Sequence, residues 1–279
     1  MKGRLGIWLF FVLVFCWTWS FWLTAAAMGT SVATTAGQTL LRLGLLGPLM
    51  GGIGFACFAH GKDYRRDYGR RIADPRRVLA RWWFAVVLPA PVLIAIAVLL
   101  DVASGGGTTL NLVGQRAAAF FATPAAGLAF MVAVLINGPL PEELGWRGYA
   151  LDQLQARWNA LTSSFVLGII WALWHLPLFI MPGMLHAERG LGSAWFWLFM
   201  ATVIPMAVIF TWIYNNTRRS TLAAIVFHFM SNLAYDIGNV SDRTNLYATL
   251  LWIGAAIAVV VWSGASSLNN AAPDRRPVA

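Results

Sequence analysis

Acid is scarce in this chain. Asp and Glu together make 11 of 279 residues, and the glutamates are Glu142, Glu143 and Glu188 alone. Lysine is almost missing too, with Lys2 and Lys62 set against eighteen arginines. The two cysteines, Cys16 and Cys57, sit in apolar runs, where they act as small hydrophobes and give no basis for a disulfide framework or a cysteine metal centre. Internal repeats and low-complexity linkers are absent. So is any polar stretch long enough for a soluble domain, and the net charge of +9 therefore has no basic surface with which to bind nucleic acid.

What is present is apolar: 59% hydrophobic residues, 11% charged, 15 tryptophans and a mean hydropathy of +0.66. Such a composition is extreme for a soluble domain and ordinary for a polytopic membrane protein. Windows of about 20 residues, matched to the thickness of a hydrocarbon core, predict eight transmembrane helices. They lie near 5–28, 40–60, 82–100, 120–140, 161–180, 195–214, 222–237 and 246–263. The expected fold is an all-α membrane helix bundle forming one integral domain over 1–279. It has motif-free helices in 1–116, catalytic helices in 117–240, and a last helix with a cytoplasmic tail in 241–279.

With the N-terminus inside, the cytoplasmic segments hold 16 of the 20 basic residues: Lys2, Arg4, eight between Lys62 and Arg81, Arg147, Arg157, Arg218, Arg219, Arg275 and Arg276.

 The eight are Lys62, Arg65, Arg66, Arg70, Arg71, Arg76, Arg77 and Arg81. Arg42, Arg116, Arg189 and Arg243 fall on the other side, and this bias predicts that both termini are cytoplasmic. The Lys62–Arg81 run also suits anionic lipid or an acidic partner. Residues 1–29 have the outline of a signal peptide, but the apolar stretch is too long for a signal core and reads as an uncleaved first helix. Gly105–Thr109 reads as a short extracytoplasmic loop, and the Arg-rich, Lys-poor composition of a short chain points to a bacterial plasma membrane.

Three polar constellations interrupt the apolar helices. The first is Pro139-Leu-Pro-Glu-Glu-Leu-Gly-Trp-Arg-Gly148. Unpaired at mid-bilayer, Glu142, Glu143 and Arg147 would together cost about 8–10 kcal/mol, which makes them functional candidates. Consecutive helical residues point about 100° apart, so the two carboxylates cannot serve one centre equally, while residues 143 and 147 face each other. Glu143 is therefore expected to pair with Arg147 and leave Glu142 free. Pro139 and Pro141 suit a helix break, and Gly145 and Gly148 a close neighbouring helix. The helix is expected to run on towards the interface through Asp152, Gln153, Gln155 and Arg157.

The second constellation is Trp171-Ala-Leu-Trp-His175, and the third is His228-Phe-Met-Ser-Asn232 with Asp236 beyond it. A turn near Asn159, with Glu142 and His175 at similar distances on either side, puts both at one depth of an antiparallel hairpin, where they can act as base and partner. Trp171 is expected to pack. His228 and Asn232 lie one turn apart and can converge two donors on one oxygen. Asp236 is expected to mark a helix end, and His60 and His186 to lie apart from the site.

Together, Glu142-Glu-Leu-Gly-Trp-Arg147, Trp171-Ala-Leu-Trp-His175 and His228-Phe-Met-Ser-Asn232 resemble, in order, the three motifs of the CAAX-protease and bacteriocin-processing family of intramembrane endopeptidases. Trp171 stands where that family most often has Phe. The resemblance covers about 139–236. It implies a helical membrane peptidase with a conical cavity open to the cytoplasm, acting on a membrane-associated peptide or protein. Glu142 and His175 would activate water, His228 and Asn232 would stabilise the oxyanion, and Glu143 with Arg147 would brace the site. Prenyl recognition has no visible motif.

Glu142, His175 and His228 also make a candidate three-ligand zinc set, although no His-Glu-x-x-His pair is present and Glu142 cannot be both ligand and sole base. The metal-independent mechanism is the reading adopted, with zinc the alternative. A transporter or proton relay would instead need polar groups along a path open to both faces. A silent scaffold or immunity-type protein would need none of the six motif residues intact.

Overall fold

The computed structural model describes residues 2–58, 60–238 and 241–270, with the side chains of 2–5 outside the description. Arg275 and Arg276, and the side chains of Lys2 and Arg4, therefore lie outside the described residues. Long helices account for most of the rest, and no strand occurs among the described residues.

The first pair is α1 (Lys2–Ala27) and α2 (Thr35–Phe58), followed by the basic α3 (Lys62–Ala73). Next, α4 (Ala80–Val87) and α5 (Pro89–Ala103) form one crossing with a joint at Pro89. After them come α6 (Leu110–Phe120), α7 (Pro124–Ile136), α8 (Pro139–Gly145) and α9 (Leu151–Gln155). The chain then runs through α10 (Ala160–Trp174), the short α11 (Leu185–Arg189), α12 (Ala194–Asn216), α13 (Thr221–Gly238) and α14 (Asp242–Ser263).

Seven segments among the described residues are long and apolar enough to cross a membrane. The eighth expected span is α13, whose His228, Asn232 and Asp236 lower its hydropathy. The fourth differs from expectation. Instead of one helix over 120–140, α6 precedes it as a separate element, and the segment Pro124–Gln155 is broken at Asn137 and Gly138.

Contacts between loops sort the bundle into two ends. At one, Arg77 donates to the Arg218 carbonyl at 2.6 Å, Ala160 N to the Ser266 carbonyl at 3.0 Å, and Asn215 Nδ2 to the Ser267 carbonyl at 2.7 Å. At the other, Val32 N donates to the Pro182 carbonyl at 2.9 Å, Ser241 to Asp101 at 2.7 Å, and Arg189 pairs with Asp242 at 2.8 Å. The first end carries the basic loops; the second does not.

Close approach of α2 to α8 rests on glycine. A Cβ at Gly145 would stand 2.5 Å from the Pro48 carbonyl oxygen, and one at Gly52 would collide with the Leu144 carbonyl. Gly148 lies against Tyr68, whose hydroxyl donates to the Leu144 carbonyl at 2.9 Å. These contacts lock the helix that carries the two glutamates against α2 and α3.

Candidate active site

Local sequence explains how the glutamates are presented. Asn137 ends α7, and Pro139, which has no N–H to lose at the first helical position, starts α8. The helix then widens to a π turn over Trp146–Ala150, a feature that recurs at functional sites.

Glu143 turns into the protein. Its carboxylate accepts from Arg147 Nη1 at 2.8 and 3.1 Å, and its Oε1 also from His228 Nδ1 at 2.9 Å. Glu143 and Arg147 are both 0% exposed. The Arg147 guanidinium lies 3.8 Å from the Phe210 ring centre and 4.7 Å from that of Trp171, a cation–π sandwich that favours a buried charge. The expected Glu143–Arg147 pair is present, and His228 joins it.

Glu142 faces a cavity of about 500 Å³ instead. Its Oε2 accepts from Trp171 Nε1 at 2.6 Å and from Trp146 Nε1 at 3.3 Å. It therefore has no cationic partner, yet it is not bare, and Trp171 does more than pack. A Cβ at Gly138 would stand 3.5 Å from Glu142 Oε1 and 3.1 Å from Asn232 Nδ2. The carboxylate and the amide thus border one gap beside the helix break, which Gly138 leaves open.

His175 ends α10, two residues before Pro177. Its Nδ1 lies 2.7 Å from the Trp171 carbonyl, which can only accept, so Nδ1 carries the proton and Nε2 keeps its lone pair. In His228, Nδ1 donates to Glu143, which leaves Nε2 as the ring nitrogen not engaged in that bond. Glu142, His175, His228 and Asn232 all line the cavity.

Other lining residues were not expected there. His186 joins the wall, packed on Phe179, Trp195 and Phe199, and burial pushes its pKa down to about 4. Asp236 lines the wall as well as lying near the end of its helix. No sequence signal marks either, because their placement depends on how α11 and α13 fold over the bundle.

Among the described residues, no three His, Cys, Asp or Glu side chains are grouped so as to hold a metal ion. Glu142, His175 and His228 share a wall but do not form such a group.

A second polar cluster lies about 15 Å further along the helix, ten residues after Glu142. Asp152 accepts from Arg71 at 2.5 Å, from Tyr214 at 3.0 Å and from Arg219 at 3.1 Å. Arg71 is 0% exposed, so this member of the expected basic anchor is a buried ion-pair residue. The cluster joins α3, α9, α12 and the start of α13, and fills the bundle at the end with the basic loops.

The cavity lies towards the opposite end, lined by Gln38, Met184, His186, Asp236 and Asn245.

The comparisons agree with the motifs. The family model for type II CAAX prenyl endopeptidase Rce1-like proteins matches residues 124–234. A protein named CAAX prenyl protease 2, from Methanococcus maripaludis, is 29% identical over 257 residues, covering 91% of this chain and 93% of that one. Over residues 124–234 the chain is therefore similar to the CAAX-protease and bacteriocin-processing family. That similarity, together with the seven helices fit to cross a membrane, supports an intramembrane endopeptidase.

Proposed function

We propose that this protein hydrolyses a peptide bond of a membrane-associated peptide or protein with water activated by its own side chains. The observation that carries the reading is the gap bordered by Glu142 Oε1 and Asn232 Nδ2 in the wall of the cavity. Glu142 takes a proton from water as the oxygen attacks the scissile carbonyl carbon. His175, through Nε2, assists in orienting that water.

The carbonyl oxygen becomes an oxyanion, met by Asn232 Nδ2 and by His228. Donation from His228 Nε2 requires both ring nitrogens to be protonated, and with that proton the four groups Glu142, Glu143, Arg147 and His228 sum to zero charge. Collapse of the tetrahedral intermediate breaks the C–N bond, and the proton held by Glu142 passes to the leaving amine. One water is consumed, and the new carboxyl group passes its remaining proton to the amine, so that a carboxylate and an ammonium group are released. Glu143 and Arg147 hold His228 in place.

Asn232→Ala tests the oxyanion role. Turnover is expected to fall about 100- to 1,000-fold with substrate affinity little changed, as when one such donor is removed elsewhere. Weaker affinity with unchanged turnover would instead make Asn232 a substrate-binding residue.

A further inference from the structure

The basic run between α2 and α4 divides into two groups. Arg71, Arg76 and Arg77 spend their charge on carboxylates of the chain itself: Arg71 on Asp67 and Asp152, Arg76 on Asp74, and Arg77 on Asp67. Lys62, Arg65, Arg66 and Arg70 are exposed and make no ion pair among the described residues. In α3 these four stand at i, i+3, i+4 and i+8, which a step of about 100° per residue gathers on one face. Asp63 borders that face and is the exposed acid of the helix. Topology alone needs only a number of cations at one end of the bundle. It does not require that the unpaired ones be aligned on one helix.

The position of α3 puts that face at the depth of lipid headgroups. The span before it ends at Phe58, which is 93% exposed, and the span after it begins at Ala80, next to Leu79, which is 41% exposed. Seven charged residues among twelve keep α3 itself out of the hydrocarbon. Its opposite face, formed by Tyr64, Asp67, Tyr68 and Arg71, turns to the bundle and is pinned there. The Tyr68 hydroxyl donates to the Leu144 carbonyl at 2.9 Å, and Arg71 donates to Asp152 at 2.5 Å and to Tyr214 at 2.7 Å. The backbone carrying the outer cations is therefore fixed before anything binds, which lowers the ordering cost of binding.

We infer that the outer face of α3 is a binding surface for the headgroups of anionic phospholipids. A row of unpaired cations complements a net negative headgroup, while the exposed Phe58 and Leu79 on either side suit its acyl chains. A zwitterionic headgroup brings its own cation and loses most of that attraction. Each Lys or Arg near an anionic lipid surface is worth about five-fold in affinity, an effect that salt screens. The surface is separate from the cavity, and none of its four cations lines it.

Lipid retention tests this directly. Purified full-length protein is equilibrated in detergent micelles carrying equal amounts of phosphatidylglycerol and phosphatidylcholine, and the lipid that stays bound is counted by native mass spectrometry. The wild type is expected to hold phosphatidylglycerol over phosphatidylcholine by at least about ten-fold at low salt, with the preference falling as salt rises. Combining Arg65→Gln, Arg66→Gln and Arg70→Gln is expected to bring the preference close to parity, with thermal unfolding in the same detergent unchanged. Arg42→Gln, an exposed cation at the other end of the bundle, is expected to leave the preference as it was. Should the triple variant fail to fold, the wild-type preference and its salt dependence decide alone. A wild type without preference overturns the inference. So does a folded triple variant whose preference is undiminished, which would leave the face to an acidic protein partner. Peptide cleavage enters neither readout, so either result leaves the peptidase reading where it stands.

Discussion

Glu142→Gln is expected to fold as the wild type does and to lose peptide cleavage, with turnover down about 100- to 10,000-fold, the range attributed to a positioned general base. The amide keeps the size of the carboxylate and an oxygen for the Trp171 and Trp146 indoles, which donate to Oε2 at 2.6 and 3.3 Å. It has no basic oxygen to take the proton of water. Turnover and thermal unfolding measured in the same detergent check both halves of the prediction. Near-wild-type turnover would remove Glu142 from the role of base.

Glu143→Gln is expected to behave differently, lowering stability by about 3–5 kcal/mol and activity with it. The neighbouring Arg147 is 0% exposed, and its Nε and Nη2 already have no hydrogen-bond partner among the described residues. Removing the carboxylate leaves a buried cation unpaired and frees His228, which now donates to Glu143 at 2.9 Å. Combining Glu143→Gln with Arg147→Met removes the charge on both sides and is expected to restore much of the stability without restoring activity. Thermal unfolding of the single and double variants separates the two effects. A stable, active Glu143→Gln enzyme would contradict the bracing role.

The parts of the site legible in the sequence are those set by one helix. Residues 143 and 147, and 228 and 232, are one turn apart whatever their neighbours do, and hydrophobic windows found the spans without any tertiary information. Contacts between helices were not legible in the same way. Trp171 meets Glu142 across 29 positions, and Arg71 meets Asp152 across 81. Both depend on the rotation and depth of packed helices, which composition does not set. The break at Asn137–Gly138 was signalled by Pro139 and Pro141. The separate α6 was hidden because a short amphipathic helix leaves no membrane-length run.

The central claim is that protein side chains, led by Glu142, activate the attacking water. Elemental analysis of purified enzyme, on the same preparation whose turnover is measured, tests it most directly. The account predicts far less than one zinc per active chain and activity that survives prolonged dialysis against a strong chelator. One zinc per chain, lost together with activity in a His175→Ala, His228→Ala double variant, would contradict it.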